Sequence, residues 1–269
     1  MPTQSNRIIT TFERLTAQGR TALIPYIMAG DPSLAETETF VLALDRAGAD
    51  LIELGVPFSD PIADGPIIQK AAERALQSGT SLIRIIDMVR QLRTRTSIPI
   101  ILMAYYNTIL AIGEEIFCRE AVAAGIDGVI VPDMPPEEAT ILDSAAQRHG
   151  LIVIFLLAPT STNARRRTVI ARTRGFIYYV SLTGITGAQL DNLTEVQQNV
   201  RQLRRAARKP VAVGFGIATP EQARIVGQFA DGVIIGSALV RLIADEQSPL
   251  PPVERLAQFT KHLKAALQP

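Results

Sequence analysis

The sequence is poor in the residues that bind catalytic metals or form imines. It contains one cysteine, Cys118, and two histidines, His149 and His262. The chain therefore cannot form an internal disulfide, and no cluster of His and Cys can hold a catalytic zinc. No lysine lies in a predicted strand, so a lysine that forms a Schiff base in a strand-lined site is not expected. The lysines are Lys70, Lys209, Lys261 and Lys264.

Charge and hydrophobicity exclude further classes of protein. A formal net charge of +1 offers no basic excess to neutralise phosphates, which argues against nucleic acid as the main partner. Short basic runs at residues 165–167 and 204–205 fall in predicted helices and are interpreted as solvated faces. The hydrophobic fraction of 47% excludes a disordered chain. The polar start of the chain and the uncharged run at residues 97–113 resemble neither a secretory signal nor a membrane span. We therefore expect a cytoplasmic protein, or one in the plastid stroma.

Eight short apolar runs alternate with amphipathic segments along the chain. Each run is nearly continuous in Val, Ile, Leu or Ala, as expected of parallel strands covered on both faces. The predicted strands are Ala22–Met28, Asp50–Leu54, Ile98–Met103, Gly128–Val131, Leu151–Leu157, Gly175–Ser181, Val211–Gly214 and Gly232–Ile235. Helical patterns between them include Leu34–Ala47, Ile116–Ala124, Pro136–His149 and Pro220–Gln228, and a proline is tolerated in the first turn of a helix.

This alternation predicts an α/β fold, a (β/α)₈ TIM barrel that occupies residues 1–269 as a single domain. An open doubly wound sheet is the alternative, but no Gly-x-Gly-x-x-Gly motif follows the first strand. Proline-rich residues 248–252 precede a predicted last helix at Val253–Leu267. An extra N-terminal amphipathic helix is predicted from residues at helical spacing, which are Ile8, Ile9, Phe12 and Leu15.

Carboxylates gather at one end of the predicted barrel. The C-terminal ends of barrel strands open onto the catalytic mouth. Those ends carry or precede Asp31, Glu53, Asp60, Asp64 and Asp133. Glu53 stands beside Leu and Ile, and burial there raises the pKa of a carboxyl group and suits it to acid–base catalysis without a cofactor. Two alternatives stay open: a structural carboxylate that caps loop amides, and a magnesium ion held by Glu53 and Asp64.

Glycines follow the seventh and eighth predicted strands. Gly216 and Gly236 let the backbone come close to a ligand, and Ser237 is expected to cap a short helix that runs toward Ile243. Free amides at a helix N-terminus attract anions, and this part of a barrel commonly binds phosphate. Ordinary strand-to-helix turns are the alternative. The loop at residues 181–188 is interpreted either as a mobile lid or as a plain surface loop.

Four segments resemble the tryptophan synthase alpha chain family. The motif ELGVPFSDPIADGP at residues 53–66 resembles the family signature, and YYVSLTGITG at 178–187 is similar to the loop after the sixth strand. VGFGI at 213–217 and IGSA at 235–238 resemble the family's phosphate site. The resemblance implies a lyase of tryptophan biosynthesis. It splits indole-3-glycerol phosphate into indole and glyceraldehyde 3-phosphate, which is a retro-aldol reaction.

The resemblance also implies roles for individual residues. Glu53 is expected to protonate the indole ring carbon and to accept the proton of the side-chain hydroxyl. Asp64 is expected to accept the indole N–H and to stabilise the positive charge that develops there, so the two carboxyl groups must differ in protonation. The substrate-binding residues that the resemblance implies are Tyr26, where the family often has phenylalanine, and Tyr178, Thr186, Gly187, Gly216, Gly236 and Ser237.

The family works as an αββα complex with a beta chain. The resemblance therefore implies a heterotetramer, with pyridoxal phosphate bound only by the partner and no cofactor on this chain. Proline-rich loops lose little entropy on docking, which suits the mouth to partner contact. The expected contacts are Pro57, Asp60, Asn107, Pro132, Asp133, Met134 and Pro135. A stand-alone lyase that releases free indole is the alternative function. A barrel that binds phosphate metabolites and only regulates its partner is another, although it would have no need of both carboxylates.

Overall fold

The computed structural model describes residues 6–180, 190–214 and 216–268, which form nine strands and twelve helices. The strands are β1 (Ala22–Met28), β2 (Ile52–Gly55), β3 (Ile100–Met103), β4 (Gly128–Ile130), β5 (Ile152–Ile154), β6 (Leu156–Leu157), β7 (Ile177–Val180), β8 (Val211–Gly214) and β9 (Gly232–Ile235). The helices are α1 (Arg7–Ala17), α2 (Leu34–Arg46), α3 (Pro66–Gln77), α4 (Leu82–Leu92), α5 (Tyr106–Leu110), α6 (Glu114–Ala124), α7 (Thr140–His149), α8 (Asn163–Arg172), α9 (Leu190–Ala207), α10 (Pro220–Gly227), α11 (Ser237–Ala244) and α12 (Pro252–Ala266).

The strands pair in parallel in one sheet, whose order is β5-β4-β3-β2-β1-β9-β8-β7-β6. Its two ends, β5 and β6, are separated in the chain only by Phe155. They are the two halves of the single strand predicted at Leu151–Leu157, and each half pairs with a different neighbour, β4 or β7. The chain at Phe155 therefore closes the sheet. The predicted (β/α) barrel is confirmed, its fifth strand is divided, and the open doubly wound sheet is excluded.

Helix α1 plugs the N-terminal end of the barrel. Ile8, Phe12 and Leu15 belong to the same buried cluster as the inward-facing strand residues. The rings of Phe12 and Phe176 lie with their centroids 5.2 Å apart. The predicted helix is confirmed, but Ile9 is 36% exposed and does not share the buried face. The inward-facing strand residues of this cluster include Ala22, Ile24, Leu51, Ile101, Ile130, Ile152, Ile154, Ala212 and Ile234.

Buried ion pairs tie the terminal helices to the base of the barrel. Asp127 accepts a hydrogen bond from Arg7 at 2.8 Å and another from Arg93 at 3.0 Å, which joins α1 and α4 to the start of β4. Lys264 on α12 donates to the carboxylate of Asp50, just before β2. Both carboxylates are buried and also accept a backbone N–H, as buried charges require.

Two predicted helix starts have different outcomes. Pro220 begins α10 as expected, after Thr219, whose side chain caps the helix. Pro136 does not begin a helix, because α7 starts only at Thr140. The amides of Glu138 and Ala139 bond to carbonyls three residues back, which makes turns rather than an α-helix. Among the described helices, none combines the length and the apolar character needed to cross a membrane.

Candidate active site

Glu53 lies inside the barrel in the middle of β2, beside Tyr26 of β1, and not at the strand end as the sequence suggested. The residue is 1% exposed, and neither oxygen of its carboxyl group has a hydrogen-bond partner among the described residues. Burial, and next the charge of Asp64, raise the pKa of Glu53 to about 8. The carboxyl group is therefore mostly protonated at pH 7 and can act as an acid.

Asp64 lies in the loop between β2 and α3 and is half-buried. Burial raises its pKa to about 6, while a hydrogen bond from the Tyr105 hydroxyl favours the charged form and opposes that rise. A carboxyl group with this pKa is about nine-tenths ionised at pH 7. The two carboxyl groups of the mouth therefore hold opposite protonation states at neutral pH.

Tyr105 follows β3 and holds the loop that carries Asp64. Its hydroxyl accepts a hydrogen bond from the Ala63 N–H at 2.9 Å, and its ring stacks on Phe58 with centroids 5.2 Å apart. Gln69 of α3 fixes the loop from the other side by donating to the Asp64 carbonyl at 2.9 Å. The sequence analysis assigned no role to Tyr105. The available signal was an aromatic hydroxyl directly after a strand, at the catalytic end of the barrel.

Two further tyrosines occupy space that glycines leave open. A Cβ on Gly55 would lie 2.1 Å from the hydroxyl oxygen of Tyr26, and a Cβ on Gly214 would lie 2.7 Å from the Tyr178 ring. Burial, reinforced by the two carboxyl groups, raises the pKa of both tyrosines well above the ordinary value. Both hydroxyls therefore stay neutral, and the rings form walls beside Glu53.

The expected phosphate cradle lies at the ends of β8 and β9. Gly216 has a φ of +72°, a conformation that glycine adopts without strain. Gly236 precedes α11, and Ser237 is its first helical residue rather than its cap, since no side chain caps this helix. A Cβ on Gly236 would lie 3.3 Å from the Tyr26 ring, so the helix start adjoins the tyrosine wall. The loop predicted at residues 181–188, with Thr186 and Gly187, lies outside the described residues.

One acidic residue of the predicted mouth has a structural partner. Both carboxylate oxygens of Asp31 accept hydrogen bonds from Arg74 of α3, at 2.7 and 2.8 Å. Asp31 therefore anchors a helix and is not free to take part in the reaction. Within the described ranges, no group of three or more His, Cys, Asp or Glu side chains is placed to hold a metal ion.

The residues expected to contact a partner differ in exposure. Asp60, Asn107 and Asp133 are exposed, and Pro132 and Pro135 are partly so. Pro57 and Met134 are buried, so their side chains offer little surface for contact. Two apolar residues that the sequence analysis did not single out are exposed instead. They are Ile62, in the loop after β2, by 84%, and Leu110, at the end of α5, by 51%.

A sequence model of the family described as tryptophan synthase alpha chain matches residues 12–268. The chain belongs to this family. The tryptophan synthase alpha chain of Geobacter sulfurreducens is 55% identical over 237 residues, 88% of this chain and 90% of the relative. That of Geotalea uraniireducens is 51% identical over 263 residues, which cover 98% of both chains. The tryptophan synthase alpha chain resemblance drawn from residues 53–66 is thus confirmed.

A solved structure from the tryptophan synthase alpha chain family has the same fold as this chain. The crystal structure of tryptophan synthase subunit alpha from Legionella pneumophila superposes with a TM-score of 0.92 at 40% identity. The superposition covers 98% of this chain and 99% of that one. The barrel and its helices therefore match a family member over nearly their whole length.

Proposed function

We propose that Glu53 and Asp64 carry out the reaction of this chain, the retro-aldol cleavage of indole-3-glycerol phosphate. Members of the tryptophan synthase alpha chain family are lyases that catalyse this step of tryptophan biosynthesis, and the chain is one of them. The observation that carries the assignment is a pair of carboxyl groups in one barrel mouth, with pKa values of about 8 and about 6. The reaction needs one acid and one anion at neutral pH, and this pair supplies both.

The proposed steps balance without a cofactor. The protonated Glu53 carboxyl gives its proton to the indole ring carbon that bears the side chain. The ionised Asp64 accepts a hydrogen bond from the indole N–H and stabilises the positive charge that forms on the nitrogen. The Glu53 carboxylate then takes the proton of the side-chain hydroxyl, and the carbon–carbon bond breaks. Its electrons return to the ring, which releases indole and the aldehyde and leaves Glu53 protonated again.

The remaining predicted contacts concern the two ends of the substrate. We place the indole ring between Tyr26 and Tyr178, and the phosphate at Gly216, Gly236 and Ser237. The space left by Gly55 and Gly214 for the tyrosine rings supports the first placement. The helix start at Ser237 supports the second, because the first amides of a helix attract an anion. Thr186 and Gly187 stay predictions.

Conservative variants of the two carboxyl groups test the assignment. Glu53→Gln keeps the shape of the side chain but cannot shuttle a proton, so indole release should fall at least about 1000-fold with little change in substrate Kd. Asp64→Asn should slow turnover about 100-fold or more. Glu73→Gln, the same change at an exposed position of α3, is the matched control and should leave the rate unchanged. Near-normal turnover by the Glu53 variant would remove that residue from the mechanism.

We further propose that a beta chain docks over the mouth, in a heterotetramer of two alpha and two beta chains. The family acts with a beta chain. Exposed Ile62 and Leu110 beside the exposed polar residues Asp60, Asn107 and Asp133 support this surface. Ile62→Ser should weaken the complex while leaving the rate of the isolated chain unchanged. If purified beta chain neither binds nor accelerates the wild-type chain, the stand-alone lyase is the correct reading.

Three accompanying predictions rest on the same family. Pyridoxal phosphate should belong to the partner and this chain should need no cofactor, so the purified chain should release indole without added pyridoxal phosphate and after dialysis against a chelator. The organisation of residues 1–269 as one domain stays a prediction. So does the cytoplasmic or stromal location.

A further inference from the structure

A cleft of about 970 Å³ opens at the end of the barrel opposite Glu53, between α1 and the last turns of α9. Lys209, Pro210 and Asp231 lie at its floor, and each precedes a strand, which places the cleft at the N-terminal face. That face of a barrel does not carry the reaction. The lyase mechanism therefore leaves this cleft without a role.

One wall of the cleft is an arginine stripe, formed by Arg201, Arg204, Arg205 and Arg208. The spacing of Arg201, Arg204 and Arg205 places them on one face of α9, and Arg208 follows the end of the helix with a φ of +50°. Like charges four residues apart destabilise a helix unless something compensates them. The interpretation of residues 204–205 as part of a solvated helix face is therefore incomplete, because the arginine stripe lines a cleft.

The stripe is only partly neutralised by the protein. Arg204 forms a two-point ion pair with Asp231, at 2.9 and 2.6 Å. The side chains of Arg201, Arg205 and Arg208 make no ion pair or hydrogen bond within the described part of the chain. Together with Lys209, five cations line the cleft against two carboxylates, those of Glu13 and Asp231. Three positive charges are left without a counter-charge on the lining.

The opposite wall comes from α1 and is partly apolar. Ile9 of α1 is 36% exposed, and it lines the cleft with Phe12. The cleft thus offers charged guanidinium groups on one side and hydrocarbon on the other. Guanidinium forks match the oxygens of phosphate groups, often with two hydrogen bonds at once.

We propose that this cleft binds a small polyanion with two or more phosphoryl groups. At 1.5 Å rise per residue, the helical part of the stripe, from Arg201 to Arg205, extends about 6 Å along the axis of α9. A single phosphate reaches only part of that length, whereas two linked phosphoryl groups contact several arginines together. The site is separate from the phosphate cradle of the substrate.

Inorganic pyrophosphate is the probe, titrated into the full-length chain by calorimetry at low ionic strength. Arg201→Gln with Arg205→Gln removes two exposed arginines that have no partner to disturb. This variant should bind pyrophosphate at least about tenfold more weakly. Arg46→Gln with Lys261→Gln makes the same change in net charge on exposed residues away from the cleft and should bind like the wild type.

Glu13→Gln gives a test that a folding defect cannot mimic. Removing a carboxylate from the cleft should tighten pyrophosphate binding severalfold, and orthophosphate should bind more weakly than pyrophosphate to every variant with an intact stripe. The phosphate cradle of the substrate is unchanged in the arginine variants and in the Glu13 variant. Pyrophosphate bound at that cradle therefore contributes equally to each of these titrations. Equal affinities in the two double variants would overturn the proposal. So would pyrophosphate binding that Gly236→Val abolishes, since it would then belong to the mouth.

Discussion

At the scale of single residues, the mouth separates two carboxyl groups by their surroundings. Glu53 is buried and its carboxyl oxygens have no hydrogen-bond partner among the described residues, so burial is the main cause of its raised pKa. Asp64 is half-buried and receives the hydroxyl of Tyr105, which limits the rise of its pKa. The same side-chain chemistry thus yields an acid at one position and an anion at the other.

The pH dependence of kcat/KM should be bell-shaped, with limbs near pH 6 and pH 8. Below about pH 6 Asp64 takes up a proton, and above about pH 8 Glu53 loses the proton that it must donate. Initial rates of indole release in overlapping buffers measure the profile. Because the charge of Asp64 raises the pKa of Glu53, the alkaline limb of Asp64→Asn should lie at lower pH. A rate that is flat from pH 5 to 9 would contradict the assignment.

Glu53→Gln should also change how stability depends on pH. The native state keeps the proton of Glu53 up to about pH 8, whereas the ordinary pKa is 4.5. The native state therefore binds more protons than the unfolded state within that window, and the free energy of unfolding falls as pH rises through it. The glutamine variant lacks this loss. Relative to the wild type it should gain about 3 kcal/mol between pH 5 and 8.

Urea denaturation at several pH values measures that difference. The comparison uses the slope with pH, so a constant cost of burying the glutamine amide does not affect it. Parallel curves for the two proteins would mean that the Glu53 carboxyl group is not held protonated by the fold.

The residues of the site differ in how far the sequence predicts them. Glu53 and Asp64 stand out because they occur in one continuous motif after an apolar run. Tyr105 does not, because its role arises from a contact between the end of β3 and the loop after β2, 42 residues apart. The motif identifies the carboxyl groups, but the hydroxyl that adjusts one of them becomes visible only when the strands are placed side by side.

At the scale of elements, β8 contributes to the site because Gly214 has no side chain and leaves space for the Tyr178 ring. Gly214→Ala would place a methyl group 2.7 Å from the Tyr178 ring, so the ring must move. We expect kcat/KM to fall at least about tenfold, because the ring forms a wall of the substrate pocket. Val213→Ala on the same strand is the control, since Val213 faces the surrounding helices. It should lose about 2 kcal/mol of unfolding free energy and keep kcat/KM; an unaffected Gly214 variant would separate Tyr178 from substrate binding.

The positions of strands are easier to predict from the sequence than the positions at which a strand is interrupted. Apolar runs mark where each strand lies, because both faces of a parallel barrel are covered. The break at Phe155 leaves no such mark: Ile154 and Leu156 still point inward and Phe155 still points outward. Only the hydrogen-bonding neighbour changes, from β4 to β7. Local side-chain pattern cannot report that change, since it is a property of strand pairing.

At the scale of the whole molecule, the reaction and much of the anchoring lie at opposite ends. Lys264 is 8% exposed and pairs with buried Asp50, which connects the last helix to the base. Lys264→Met should cost about 3–5 kcal/mol of unfolding free energy, because it leaves the Asp50 carboxylate buried with weak compensation. The kcat should not change, since the mouth is not involved. Lys261→Met, exposed on the same helix, should stay within about 0.5 kcal/mol of the wild type.

Chemical denaturation and steady-state kinetics on the same samples check this division. A Lys264 variant that keeps its stability would mean that Asp50 needs no partner. A variant that loses kcat while still folded would mean that the base influences the mouth.

Ile8, Phe12 and Leu15 of α1 close the barrel at its base, so its interior has a single opening. With the base filled by α1, molecules enter and depart through the mouth alone. A protein bound over the mouth would therefore receive every indole molecule that leaves the barrel.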